Sequence, residues 1–266
     1  ERLLRQQLPL RYAEDGAIDE KGRAVFIKDG SLQGERPGLN CSGFVKWVVD
    51  GVIAGNGGRA TSIGELKKAP LPRGHGLSEV WEGSLNPWFG LDWVRNLAIR
   101  AASLADTQGR PPLVDEYEVA SAPFALLDQH LFNPRERDSG KGPLPWPGFY
   151  ENSGFPVEGL AALLYSLSAR DSNSFWLVSM NDTPKGGLQR QHSHVAVLVP
   201  HFSETGGFRI SVFESGSATD FSRFVRRYLG WNAYLARVSL APDFLPSDSQ
   251  AFIDSGMNLW RGGIKR

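Results

Sequence analysis

GLNCSGFVKWVVDG, residues 38–51, carries the only cysteine in a chain of 266 residues. Phe44, Val45, Val48, Val49 and Val52 recur at three- and four-residue spacings, which predicts a helix over about residues 42–53 with one buried face. The Gly55-Asn56-Gly57-Gly58 cluster ends it. Cys41 then falls on the first turn, where unpaired backbone N–H groups and the positive end of the helix dipole favour a thiolate. Ser42 can help satisfy first-turn donors, and Gly43 leaves room for a substrate to approach the backbone. Free cysteine is also among the most buried residue types. Taken alone, Cys41 is therefore either a nucleophile or a structural thiol.

Composition narrows the field. Lys+Arg and Asp+Glu both number 29, so no net charge favours an electrostatic grip on nucleic acid. No apolar run approaches the roughly 18 residues that a membrane-spanning helix needs. A single cysteine excludes an intramolecular disulfide and any multi-cysteine zinc site. Eight tryptophans, 17 prolines and 30 glycines against two methionines give a loop-rich, rigid character that suits an extracytoplasmic protein. The chain opens ERLLRQQ, so a signal segment is expected to have been removed.

Along the chain, ERLLRQQL predicts a short helix, and RAVFIKDG (23–30) a short strand or extended entry closed by a turn. LDWVRNLAIRAASLA (91–105), PFALLDQHLF (123–132) and VEGLAALLYSLSA (157–169) predict helices, the last two separated by a long loop. From about residue 174, SFWLVSMN, HVAVLVP, FRISVFES and AYLARVSL predict strands of an antiparallel meander, with DFSRFVRRYLG as a helix before the fourth. The fold class is α+β. The arginines of FSRFVRRY are expected to solvate a helix face.

Two further segments carry chemistry. In QHSHVAVLVP (191–200), His194 begins an apolar strand that would hold its ring firmly, as the base of a thiolate nucleophile requires. His192, two residues earlier, shares that face if the strand extends back so far. In FRISVFE, alternation places Glu214 on one face with Phe208, Ile210 and Val212, where a carboxylate would orient an imidazole.

Taken together, NCSGFVKWVVDG, HSHVAVLVP and FRISVFESGS resemble the NlpC/P60 family of papain-like cysteine peptidases. That family has an aspartate-cysteine-serine-glycine start to a helix, a strand opening with histidine-valine, and a polar third residue on the next strand. AYLARVSL is similar to its closing strand. The resemblance implies a nucleophile helix packed on an antiparallel sheet, with Cys41 as nucleophile, His194 as general base and Glu214, or else His192, orienting the imidazole. It implies an amide substrate in peptidoglycan stem peptides, a periplasmic or extracellular location, and no cofactor.

The sequence departs from the family in three ways. Asn40 stands where aspartate is usual, and Glu214 where histidine, asparagine or glutamine is more common. Phe26 is the nearest aromatic to the family's upstream tyrosine. Cys41 and His194 lie 153 residues apart, which divides the chain into an N-terminal segment with the nucleophile helix (1–54), a helical and Trp/Pro/Gly-rich insertion (55–170) and the sheet (171–266). Trp81, Trp88, Phe89, Trp93, Trp146, Phe149 and Tyr150 in the insertion would either wall a groove or fill a subdomain core.

A metal reading of His192 and His194 meets the opening of a cupin motif at Gly186, but Leu198 and Val199 stand where that motif needs glutamate. No metal is expected. No dinucleotide or phosphate loop and no G-x-S-x-G elbow occurs. A non-catalytic envelope-binding module and an acyl or amide transferase remain the alternatives.

Overall fold

The computed structural model describes residues 1–70, 86–105, 110–118, 153–182, 191–239 and 243–247. Six strands form one antiparallel sheet: β3 (Phe155–Pro156), β4 (Phe175–Asp182), β5 (Gln191–Phe202), β6 (Phe208–Glu214), β7 (Ser217–Thr219) and β8 (Asn232–Val238). β4 is buried along nearly its whole length because both of its faces are covered. Leu177, Val195, Val197, Phe213, Ala236 and Val238 enter one core. Trp176, Val178, Met180, Ala196, Leu198, Val212 and Leu235 enter the other.

The strand order β3-β8-β4-β5-β6-β7 differs from the expected meander at one point. β6 turns straight into β7, so its outer edge is taken. The helix α7 (Phe221–Arg227) then carries the chain back, and β8 pairs with the far edge of β4. The β6–β7 turn has positive φ at both Ser215 (48°) and Gly216 (80°), the type I′ geometry that matches strand twist.

The helix α2 (Cys41–Gly55) confirms the predicted span, with a difference in burial. One buried face was the expectation. In the structure almost every residue from Ser42 to Ile53 is buried, because four elements surround the helix. A hairpin of β1 (Gly16–Ile18) and β2 (Ala24–Phe26) covers its first turn, and the sheet lies along one side. The helix α4 (Phe89–Ala105) packs on another. Residues 243–247 strap across its end, where the Leu245 amide donates to the Gly51 carbonyl (2.9 Å) and the Trp47 indole donates to the Ser247 carbonyl (3.3 Å). Lys46 is enclosed with the rest and is neutralised by Asp50 at 2.5 Å.

Close backbone approach explains three glycines of α2. A Cβ on Gly51 would lie 2.5 Å from the Phe244 ring, and one on Gly55 would lie 2.2 Å from the Asp243 carbonyl oxygen. A Cβ on Gly43 would lie 2.0 Å from the Gly16 carbonyl oxygen. The space at Gly43 is therefore filled by β1, and is not the substrate approach expected from the sequence.

α4 lies in the same core as α2, although it falls in the stretch expected to be an insertion. Its Trp93 is fully buried, donates to the Ser42 carbonyl (2.9 Å) and packs against Phe89. These two aromatics hold α4 to the start of α2 and do not wall a groove. Arg95 of α4 forms a buried pair with Glu118 (2.5 Å) and donates to the Tyr234 hydroxyl (2.7 Å), tying the segment after helix α5 (Val114–Tyr117) to β8. A 3₁₀ turn (Val157–Gly159) and helix α6 (Leu160–Ser168) fill the second core. The first residues form helix α1 (Arg2–Gln6), and a short helix α3 (Ile63–Leu66) follows α2. The expected helix at 123–132 and Trp81, Trp146, Phe149 and Tyr150 lie outside the described residues. No helix among the described residues is long and apolar enough to cross a membrane.

The Gly43 contact is backbone against backbone, so neither side can yield by a rotamer change. Gly43→Ala is expected to destabilise the fold by ~1–3 kcal/mol, the usual cost of overpacking a filled site. A lower urea midpoint at unchanged m-value would show it.

Candidate active site

Asn40 caps α2. Its side-chain oxygen accepts from the Gly43 amide (2.7 Å), and its carbonyl accepts from the Phe44 amide (2.9 Å). The cap is therefore Asn40, the residue before the thiol. An asparagine cap satisfies the same donor as the family's aspartate without placing a negative charge beside the thiol. Cys41 is the first residue of the helix and half-buried, and the amides of Cys41 and Ser42 begin the first turn beside it. The Ser42 hydroxyl lies 4.0 Å from the thiol.

The thiol meets β5 where β5 and β6 part. Their pairing ends at Val197↔Phe213, and the Val195 amide donates to the Cys41 sulfur. His194, adjacent on β5, is the side chain that most strongly lowers the titration of that thiol. Its Nε2 lies 2.8 Å from Glu214 Oε2, which leaves Nδ1 for the thiol. The structure therefore brings together Cys41, His194 and Glu214 in that order.

His192 stands apart, contrary to the shared-face expectation. Met180 pairs with His194 but Asn181 pairs with His192, so Ser193 is an extra residue and the strand bulges there. One inserted residue reverses alternation, and the two histidines emerge on opposite faces. The Asn181 amide donates to His192 Nε2 (3.0 Å), so Nδ1 carries the ring proton and donates to Ser179 Oγ (2.9 Å). Trp88 lies against this ring at 5.8 Å. Glu214 is the partner of His194; His192 is not.

Sequence reasoning missed the groups that hold the carboxylate. Glu214 Oε1 accepts from Thr219 Oγ1 (2.8 Å) on β7 and from Arg227 Nη1 (2.6 Å) on α7. Tyr228 stacks on the imidazole at 5.4 Å and 18°. The Ser-Gly pair at 215–216 was the available signal, since a two-residue turn brings the next strand's Thr219 back beside Glu214. Arg227 reaches the carboxylate while remaining exposed, as expected of these arginines. An aromatic hydroxyl also stands near the thiol: burial, and then the thiolate charge, push the exposed Tyr12 phenol up. Tyr12 lies on the N-terminal segment that crosses the β6–β7 turn, where the Leu10 amide donates to the Gly216 carbonyl (2.8 Å).

Burial alone would push the Cys41 thiol up. The His194 hydrogen bond and charge, then the Val195 amide and Ser42, outweigh it and hold the thiol below its ordinary value. Burial pulls His194 down, yet its bonds to Cys41 and Glu214 and their charges raise it to about 9. Burial raises Glu214, but His194, Thr219 and Arg227 bring it below the ordinary carboxylate range. From the depressed thiol titration up to about pH 9 the pair is therefore a thiolate and an imidazolium. No group of three or more metal-ligating side chains occurs among the described residues.

No family model, curated protein or solved structure matches the chain. The functional argument therefore rests on the residues themselves.

Removing the imidazole leaves burial as the dominant influence on the thiol. In His194→Ala the alkylation of Cys41 by iodoacetamide is expected to slow at least about tenfold at pH 7. Its pH profile should also move up towards or beyond the ordinary thiol range. Equal rates for the two proteins would show that the pair is not coupled.

Proposed function

We propose that the protein is a cysteine hydrolase of the papain-like, NlpC/P60 kind that cleaves an amide bond in peptidoglycan stem peptides at the bacterial cell surface or in the periplasm. The observation that carries the chemistry is the grouping of Cys41, His194 and Glu214: the thiol stands at a helix N-terminus, His194 lowers its titration, and Glu214 holds the imidazole at 2.8 Å. A half-buried thiol held below its ordinary titration by an imidazole that a carboxylate orients is the arrangement nucleophilic catalysis needs. The substrate class and location follow from the sequence resemblance alone.

In the proposed cycle the Cys41 thiolate attacks the amide carbonyl carbon. The Cys41 and Ser42 amides at the start of α2 are the nearest backbone donors for the developing oxyanion. As the C–N bond breaks, the His194 imidazolium gives its proton to the leaving amine. Water then adds to the thioester while neutral His194 takes its proton. Collapse releases the carboxylic acid, and the proton returns the pair to thiolate and imidazolium. Glu214 keeps its charge throughout and holds the ring.

Digestion of purified peptidoglycan, with products read by mass spectrometry, tests this directly. The wild type is expected to release fragments with one new amine and one new carboxyl end. Cys41→Ala should release them at least about 10³-fold more slowly, as loss of a covalent nucleophile does. A reactive thiol without any cleavage would overturn the peptidoglycan assignment. A thiol inert to iodoacetamide below pH 8 would overturn the hydrolase reading itself, leaving a binding module.

A further inference from the structure

We propose that Arg227 is a positioning residue for the Cys41–His194 pair, acting through Glu214 and Tyr228 at once. The inference rests on the thiol-nucleophile reading above and extends it to a residue outside the Cys-His-Glu series.

Three contacts carry it. Arg227 Nη1 donates to Glu214 Oε1 at 2.6 Å, while the other oxygen of that carboxylate meets His194 Nε2. The same guanidinium lies over the ring of Tyr228, 5.7 Å from its centroid, and that ring is stacked on the His194 imidazole. One side chain therefore joins the group that bonds the imidazole at its edge to the group that covers its face. An arginine suits this because its planar guanidinium can donate to a carboxylate while lying over an aromatic ring. Glu214 itself is almost fully buried, so its orientation is set by these partners and not by water.

The groups around Glu214 come from three elements: His194 from β5, Thr219 from β7, and Arg227 at the end of α7 with Tyr228 just after it. Cys41, from α2, raises the His194 titration together with Glu214. Losing Arg227 removes one positive charge from this cluster and leaves the carboxylate held by Thr219 and the imidazole alone. The imidazolium then loses a fixed partner, and the thiolate forms at higher pH. Arg226 supplies the control. It lies in the same last turn of α7, is exposed, and carries the same charge towards the helix dipole.

The test is the rate of Cys41 alkylation by iodoacetamide on the full chain between pH 4 and pH 9, which needs no substrate. In R227Q the acid limb is expected to move up, giving about threefold slower labelling near its foot, a change of roughly half a logarithmic unit. R226Q should superimpose on the wild type. R227K keeps the charge but has one ammonium for two partners, so it should fall between; it also carries the test if R227Q does not fold. In an E214Q background, R227Q should add little, because two residues acting through one carboxylate are not additive. A wild-type profile in R227Q or R227K overturns the proposal, and so does an undiminished effect of R227Q in E214Q. If the wild-type thiol is itself inert below pH 8, the hydrolase reading fails as well, which separates the two failures.

Discussion

The contact of Gly43 with the Gly16 carbonyl sets the position of everything around the thiol. It fixes how deeply the first turn of α2 sits beneath the β1–β2 hairpin. The Asn40 amide donates to that same Gly16 carbonyl at 2.9 Å, so helix cap and hairpin are one unit. Trp93 grips the Ser42 carbonyl from α4. With three elements meeting on residues 40–43, the thiol has little freedom to leave the gap between β5 and β6. Preorganisation here is a packing property of a buried helix start, the kind of rigid support a reactive group needs.

Much of this was legible in the sequence. The span of α2, the long helix at 89–105, the strand regions and the facing of Glu214 all follow from period and punctuation. Those signals fail where a single residue changes phase or where a segment is too short to show a period. The bulge at Ser193 leaves no compositional mark, yet it decides which histidine can reach the thiol. β1 and β7 have three residues each, too few for alternation to be read. The return of β8 to the edge of β4 depends on which edges are already occupied, a property of the assembled sheet.

The missed contacts share one cause. Arg227 and Gly43 each have a bland local explanation, a solvated helix face and a small residue near a reactive group. Each takes its actual partner from an element distant in sequence. Gly43 meets β1 across 27 positions, and Arg227 meets Glu214 across 13. Enclosure of α2 was hidden for the same reason, since the strap at 243–247 that covers Gly51 and Gly55 lies some 190 residues after them.

That strap and the late arrival of β5 have a consequence for how the chain matures during synthesis. Cys41 leaves the ribosome 153 residues before His194. At ~5–20 residues per second that is an interval of about 8–30 s. Throughout it the thiol lacks His194 and Val195, the largest influences that lower its titration in the folded chain. Chemical competence is delayed until the sheet closes on α2, and the burial of α2 is completed only when residues 243–247 lie down across it. The nascent chain thus lacks the groups that depress its thiol titration during the period when it is least folded and closest to other chains.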